Sequence, residues 1–244
     1  MFASFKLLAI YFALGVPAGV IGIPYTLVVG DIGLLYRVAM WIVSAGVRAA
    51  GIKTDISGLE NVPYGRSCIF MSNHVSNLDP PVTLPLLPGR CSVLLKKELM
   101  NIPILGRAMR MAKFVPVERG HRRDAAKASV EAAADALRSG LHILVYPEGT
   151  RSPDGRLSAF KKGPFFLAQE TQAPIVPIAV SGTQSMMRKG SSAITPGLAQ
   201  IRLLPPVEPS AYATRDELMQ AVRDAIAAAL PPEMQPAGYL TMAL

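Results

Sequence analysis

His74 and Asp79 stand five positions apart in the stretch Asn73-His74-Val75-Ser76-Asn77-Leu78-Asp79-Pro80-Pro81. An imidazole beside a carboxylate is a small side-chain set that can move protons near neutral pH: the carboxylate fixes the tautomer through one ring nitrogen and leaves the other as a base. This is the general-base half of a catalytic triad without its own nucleophile, so the attacking hydroxyl must belong to the substrate. No Gly-x-Ser-x-Gly elbow occurs anywhere in the chain, and Ser76 reads as a local hydrogen-bonder rather than a nucleophile. Taken alone, the pair is as readily a structural histidine next to an Asp-capped helix.

The elements around the pair have to bring it together. The apolar run Cys68-Ile69-Phe70-Met71 reads as the end of a buried strand. Pro80 and Pro81 suit a helix start, where a missing N–H costs nothing. Asp79 precedes a proline and is therefore expected to act as the N-cap. On one continuous helix, positions five apart point roughly 140° away from each other. His74 is thus placed in a turn, where the chain folds back and the side chains meet.

A second motif, Tyr146-Pro147-Glu148-Gly149-Thr150-Arg151-Ser152, follows the apolar run 141–145. With it the chain resembles the glycerolipid acyltransferases, typified by 1-acylglycerol-3-phosphate acyltransferase. The resemblance covers roughly residues 65–182 in four ordered blocks: Asn73 to Asp79; Lys97-Glu98-Leu99 with Pro103 and Gly106, closing at Val117-Glu118-Arg119; Pro147 to Ser152; and Pro174-Ile175-Val176-Pro177-Ile178. Phe160-Lys161-Lys162-Gly163 resembles the usual continuation of the third block.

The resemblance implies that His74 is the base and Asp79 its orienting partner. It assigns Arg119 to the acceptor phosphate, with Lys97 lining the same face; a planar guanidinium fork binds phosphate oxygens in pairs. Gly149 permits a tight turn close to ligand, Thr150 shapes that loop, and Arg151 offers a second fork. Glu148 is expected either to meet a glycerol hydroxyl or to hold an arginine. The second block departs from the family pattern. Ala112-Lys113 stands where a glycine is usual, and Pro116 interrupts the following strand. Both changes bear on the loop beside Arg119, and so on acceptor identity.

Charge supports an anionic partner. The chain of 244 residues carries a formal charge of +8. Residues 90–162 hold 15 Lys/Arg against 7 Asp/Glu, whereas the rest of the chain holds 10 of each. A basic surplus confined to the second and third blocks suits phosphates or an anionic membrane surface. No nucleic-acid-binding signature accompanies it. Cys68 and Cys91, and His74, His121 and His142, lack metal-ligand spacing, so neither a metal nor another cofactor is expected; free thiols suit a reducing compartment.

Residues 7–30 contain no charged side chain, enough for about one bilayer crossing. Pro17 and Pro24 are expected to kink or break a helix there. After Asp31, residues 34–50 resume an apolar pattern with Trp41 and with Arg37 and Arg48 on one face. The pattern predicts a helical hairpin lying in or dipping into one leaflet, rather than a pair of clean spans. A transmembrane anchor and a hairpin buried against a soluble core are the alternatives.

From Gly51 the composition becomes globular. Strands are expected over 67–71, 92–95, 114–117, 141–145, 175–180 and 199–204, and helices over 80–87, 124–138, 160–169 and 215–230. Their alternation predicts an α/β layered domain with a largely parallel sheet flanked by helices. The expected organisation is a membrane-associated two-helix segment over 1–50, an acyltransferase domain over 51–232, and a loose tail over 233–244.

The expected function, from the resemblance, is transfer of an acyl group from acyl-CoA or acyl-carrier-protein to the sn-2 hydroxyl of a lysophosphatidate, giving phosphatidate. The expected location is the cytoplasmic face of a bacterial inner membrane. The alternatives are another acceptor (a lyso-ornithine lipid or lysophospholipid), a non-catalytic membrane lipid-binding protein of the same fold, and a lysolipid esterase.

Overall fold

A computed structural model describes residues 2–117, 123–188 and 190–237. Its elements in order are α1 (Phe2–Val29), α2 (Gly33–Ala49), β1 (Ile52–Ser57), β2 (Ile69–Ser72), α3 (Asp79–Thr83), β3 (Cys91–Lys96), α4 (Leu105–Met111), β4 (Val115–Val117), α5 (Arg123–Arg138), β5 (His142–Val145), α6 (Gly163–Thr171), β6 (Ile175–Ser181), α7 (Thr183–Met186), β7 (Gly197–Leu203) and α8 (Arg215–Ala229). The seven strands form one sheet in the order β1-β7-β6-β2-β5-β3-β4. Neighbours pair in parallel except β6 and β7. Strands β2, β3, β4, β5 and β6 therefore all point their C-terminal ends to one edge.

Both faces of the sheet are covered, which is why the central strands read as unbroken apolar runs rather than alternating ones. Along β2, Ile69 and Met71 pack into a core with Leu137 of α5, Phe165 of α6 and Val222 of α8. Cys68 and Phe70 face the other way, toward Val47 of α2 and Val82 of α3. Two-residue periodicity thus splits one strand between two cores. The layered α/β architecture expected from the sequence, a largely parallel sheet flanked by helices, is the one observed.

Four local readings need correction. Helix α1 runs unbroken through Pro17 and Pro24. The two prolines lie seven residues apart and are both exposed, so they share the outer face, away from the α2 packing. Asp79 is not the N-cap of α3; Leu78 is, and Asp79 is the first helical residue, its carboxylate being turned back toward the preceding loop. Strand β1 has no counterpart among the expected strands: only Ile52 of its six residues is buried, so it carries little hydrophobic signal. Met234, expected in a loose tail, is 1% exposed in the core, and its carbonyl accepts Leu157 N–H at 2.8 Å. Residues 238–244 of that tail lie outside the described residues.

Helix α1 has 28 residues, about 42 Å at ~1.5 Å per residue, and is long and apolar enough to cross a membrane. It packs on α2, where Tyr11 Oη donates to Val43 O at 3.3 Å. Its N-terminal end is tied to the segment after α7: Ser4 Oγ donates to Ser192 O and accepts from Ile194 N, each at 2.8 Å. Away from these contacts, Phe2, Phe5, Leu8, Phe12, Val20 and Ile21 are left exposed.

Candidate active site

The site is built on the loop that leaves β2. Asn73 is buried and clasps the end of β6: its Nδ2 donates to Val180 O at 2.9 Å and its Oδ1 accepts Val180 N–H at 2.7 Å. The chain then turns so that His74 Nδ1 lies 2.8 Å from Asp79 Oδ2. A carboxylate only accepts, so Nδ1 carries the proton and Nε2 carries the lone pair. The same oxygen accepts the backbone N–H groups of Val75 and Ser76, each at 2.8 Å. The other oxygen, Oδ1, accepts Thr183 Oγ1–H at 2.6 Å. Asp79 is wholly buried, whereas the His74 side chain keeps 17% of its surface exposed. A buried charge needs such complete satisfaction; here four donors supply it without a fixed cation.

Two further groups hold the imidazole. The Tyr146 ring stacks on it with centroids 4.3 Å apart. Burial, with the charge of Asp79 added, pushes the Tyr146 hydroxyl well above its ordinary value, and among the described residues that hydroxyl has no hydrogen-bond partner. Glu148, 3% exposed, accepts His74 N–H on Oε1 at 2.6 Å and Ser158 N–H on Oε2 at 3.0 Å. Both oxygens bind backbone N–H groups, partners that the sequence reading, a glycerol hydroxyl or an arginine, did not include. Burial raises its pKa, partly offset by those hydrogen bonds. Ser152 N–H donates to His74 O at 2.8 Å, so the third block grips the first through both backbone polar groups of one residue. Ser76 is no nucleophile in this arrangement; its Oγ donates to Met187 O at 2.9 Å.

Two of the cationic candidates follow strands that end at the same sheet edge. Lys97 is exposed in the turn after β3, and Arg151 is half-buried after β5. Arg119 lies outside the described residues, two positions beyond the end of β4. Gly149 adopts φ +70°, and a Cβ there would stand 2.6 Å from Lys161 Cε; the turn therefore has no side chain above Glu148, and Lys161 lies across it. Thr150 is exposed. The departures in the second block have local explanations. Lys113 takes φ +58°, the left-handed conformation that glycine adopts readily, and its carbonyl is held by Ser92 Oγ at 2.5 Å. Pro116 is exposed on β4, which among the described residues pairs only with β3; an edge strand tolerates the missing N–H.

Sequence reasoning missed Asn73, Tyr146 and Thr183 as parts of this assembly. Thr183 carries the faintest signal, a threonine directly after Ser181-Gly182 at the end of an apolar strand. It lies 104 residues from Asp79.

Parallel strands thus deliver a buried carboxylate, a histidine with one nitrogen not engaged by Asp79, and the cations Lys97 and Arg151 to one edge, the position where open α/β sheets bind ligands. The Acyltransferase family model matches residues 53–181, and the chain belongs to that family. The chain is 36% identical over 168 residues to human 1-acyl-sn-glycerol-3-phosphate acyltransferase alpha, covering 69% of this chain and 59% of that one. It is 32% identical over 190 residues to the 1-acyl-sn-glycerol-3-phosphate acyltransferase of Limnanthes alba, covering 77% and 67% respectively. The chain thus spans less than two thirds of the human relative's length. In structure it resembles the crystallised 1-acyl-sn-glycerophosphate acyltransferase PlsC of Thermotoga maritima, with a TM-score of 0.77, 26% identity, and coverage of 91% of this chain and 92% of that one.

Proposed function

We propose that this protein transfers an acyl group from a thioester to the sn-2 hydroxyl of 1-acylglycerol-3-phosphate, yielding phosphatidate. The carrying observation is the 2.8 Å contact between His74 Nδ1 and Asp79 Oδ2 in a chain of the Acyltransferase family. Nε2 takes the proton of the acceptor hydroxyl as its oxygen attacks the thioester carbonyl. Collapse of the tetrahedral adduct expels the thiolate, which recovers that proton from Nε2. A positioned base of this kind supplies ~10²–10⁴-fold; alignment and charge stabilisation supply the remainder. Arg119, Lys97 and Arg151 bind the acceptor phosphate, while Gly149 and Thr150 shape the loop beside it. The donor is acyl-CoA or acyl-carrier-protein. The exposed apolar face of α1 supports action at a membrane, on the cytoplasmic side where such thioesters are made.

A second reading keeps the chemistry and changes the acceptor to another lysolipid. The left-handed Lys113 and the edge Pro116 favour it, because both flank the approach to Arg119. Membranes bearing the protein, incubated with labelled acyl-CoA or acyl-carrier-protein and a panel of lysolipids, decide between the two. Label in phosphatidate, lost in His74→Ala, is the expected result. Label in another lipid moves the acceptor. No transfer to any acceptor, where a known acyltransferase works, would leave a lipid-binding protein.

A further inference from the structure

Thr183 is fully buried, opens α7, and donates the 2.6 Å hydrogen bond to Asp79 Oδ1. It lies two residues beyond the segment matched by the family model. No other hydrogen bond to Oδ1 is found among the described residues, whereas Oδ2 has three donors. Gly182 sets the hydroxyl in place: it turns the chain at φ +90°, and a Cβ there would collide with the carbonyl of Leu198. The hydroxyl therefore arrives from β6 and β7 rather than from the loop that carries His74.

We propose that Thr183 is a positioning residue for the His74–Asp79 pair, setting how much negative charge Asp79 presents to the imidazole. This rests on His74 being the base. A buried carboxylate with one oxygen bonded and the other bare concentrates its charge, and a more negative neighbour stabilises the protonated imidazole. By holding Oδ1, Thr183 draws charge away from Oδ2 and keeps the carboxylate oriented on Nδ1. The groups facing the pair from the segment after β5 are Tyr146, stacked on the ring, and Glu148, bonded to the His74 backbone. Helix α7 itself has no titratable side chain, and the nearest charge beyond it in sequence is Arg188. None of these groups is altered by substituting Thr183.

The test is the pH profile of acyl transfer by the full chain in phosphatidate vesicles, for wild type, Thr183→Val, Thr183→Ala, Thr183→Ser and His74→Ala. Thr183→Val, or Thr183→Ala if the valine variant does not fold, is expected to lower kcat about tenfold or more, because a carboxylate with Oδ1 bare is no longer held in line with Nδ1, and that loss of alignment outweighs the added charge. KM for the acceptor should stay within about twofold, and the acid limb of kcat/KM should rise by about half a pH unit or more. Thr183→Ser should restore both. An unmoved acid limb, a serine variant no better than valine, or a loss confined to KM would overturn the proposal while leaving His74 as the base. Wild-type transfer by His74→Ala would instead remove the reading on which it rests, and the proposal with it.

Discussion

Asp79→Asn separates the charge of the carboxylate from its geometry. An amide has two possible orientations in this pocket. With its NH₂ toward His74, it would face three donors at the position of Oδ2, each clash costing roughly 1–3 kcal/mol. With its oxygen there, it keeps all three donors, and its NH₂ meets a Thr183 hydroxyl free to rotate and accept. The second orientation wins, so the histidine keeps its proton on Nδ1. What is lost is the charge beside a developing imidazolium, worth about 4 kcal/mol at ~4 Å and an effective dielectric of ~20. At ~1.36 kcal/mol per tenfold, kcat should fall by up to about a thousandfold. That is less than the ~10⁴-fold loss seen in a serine protease when the amide imposes the wrong tautomer. The assay is acyl transfer to 1-acylglycerol-3-phosphate by purified variant and wild type, with thermal unfolding as the control for folding. Wild-type kcat in a folded variant would refute the reasoning, because the buried charge would then do nothing for the base.

Glu148→Gln can keep only one of the two backbone hydrogen bonds, so it should destabilise the fold by about 1–3 kcal/mol. Because burial raises the Glu148 pKa in the folded state, the native chain binds that proton more tightly than the unfolded one. The associated stability is present at low pH and lost as pH rises through the raised value; chemical denaturation across pH should show the wild-type advantage over Glu148→Gln shrinking upward, and a growing advantage would contradict this. Tyr146→Phe removes a hydroxyl without a partner and should leave kcat within about twofold, whereas Tyr146→Ala, which removes the ring under His74, should cost about tenfold or more in kcat; equal effects would reject the stacking role. Replacing Phe5 and Phe12, 68% and 77% exposed, by serine should weaken vesicle binding by about tenfold or more, since burying each ring in lipid is worth ~1.5–3 kcal/mol. Unchanged co-flotation with vesicles would show that this face is not the one in contact with lipid.

The pairing of His74 with Asp79 was legible because the strand end and the two prolines leave the intervening chain little choice but to turn. The layered sheet was legible because its central strands are covered on both faces and so carry long apolar runs. Strand β1 was hidden for the opposite reason: an edge strand with one buried residue has almost no hydrophobic pattern. The role of Glu148 was hidden because its partners are backbone N–H groups, which every residue type but proline carries. Thr183 was hidden by separation along the chain, since parallel strands bring together residues that no local spacing relates. Pro17 and Pro24 misled because proline is a weaker breaker when both rings face outward on one side of a helix.

Strand order also distributes the site between two regimes of constraint. His74 hangs from β2, the central strand, fourth from either edge of the sheet, and its loop is tied to β5 and β6 by side chains that leave little room for substitution. Strand β4, which precedes Arg119 in sequence, has three residues and, among the described residues, a single neighbour. Insertions, prolines and altered turns are tolerated at such a margin without disturbing the core. On the proposed function, acceptor preference can diversify within this architecture while the His74–Asp79 pair stays constant, and exchanging the segment around β4 between relatives is the economical route to a new acceptor.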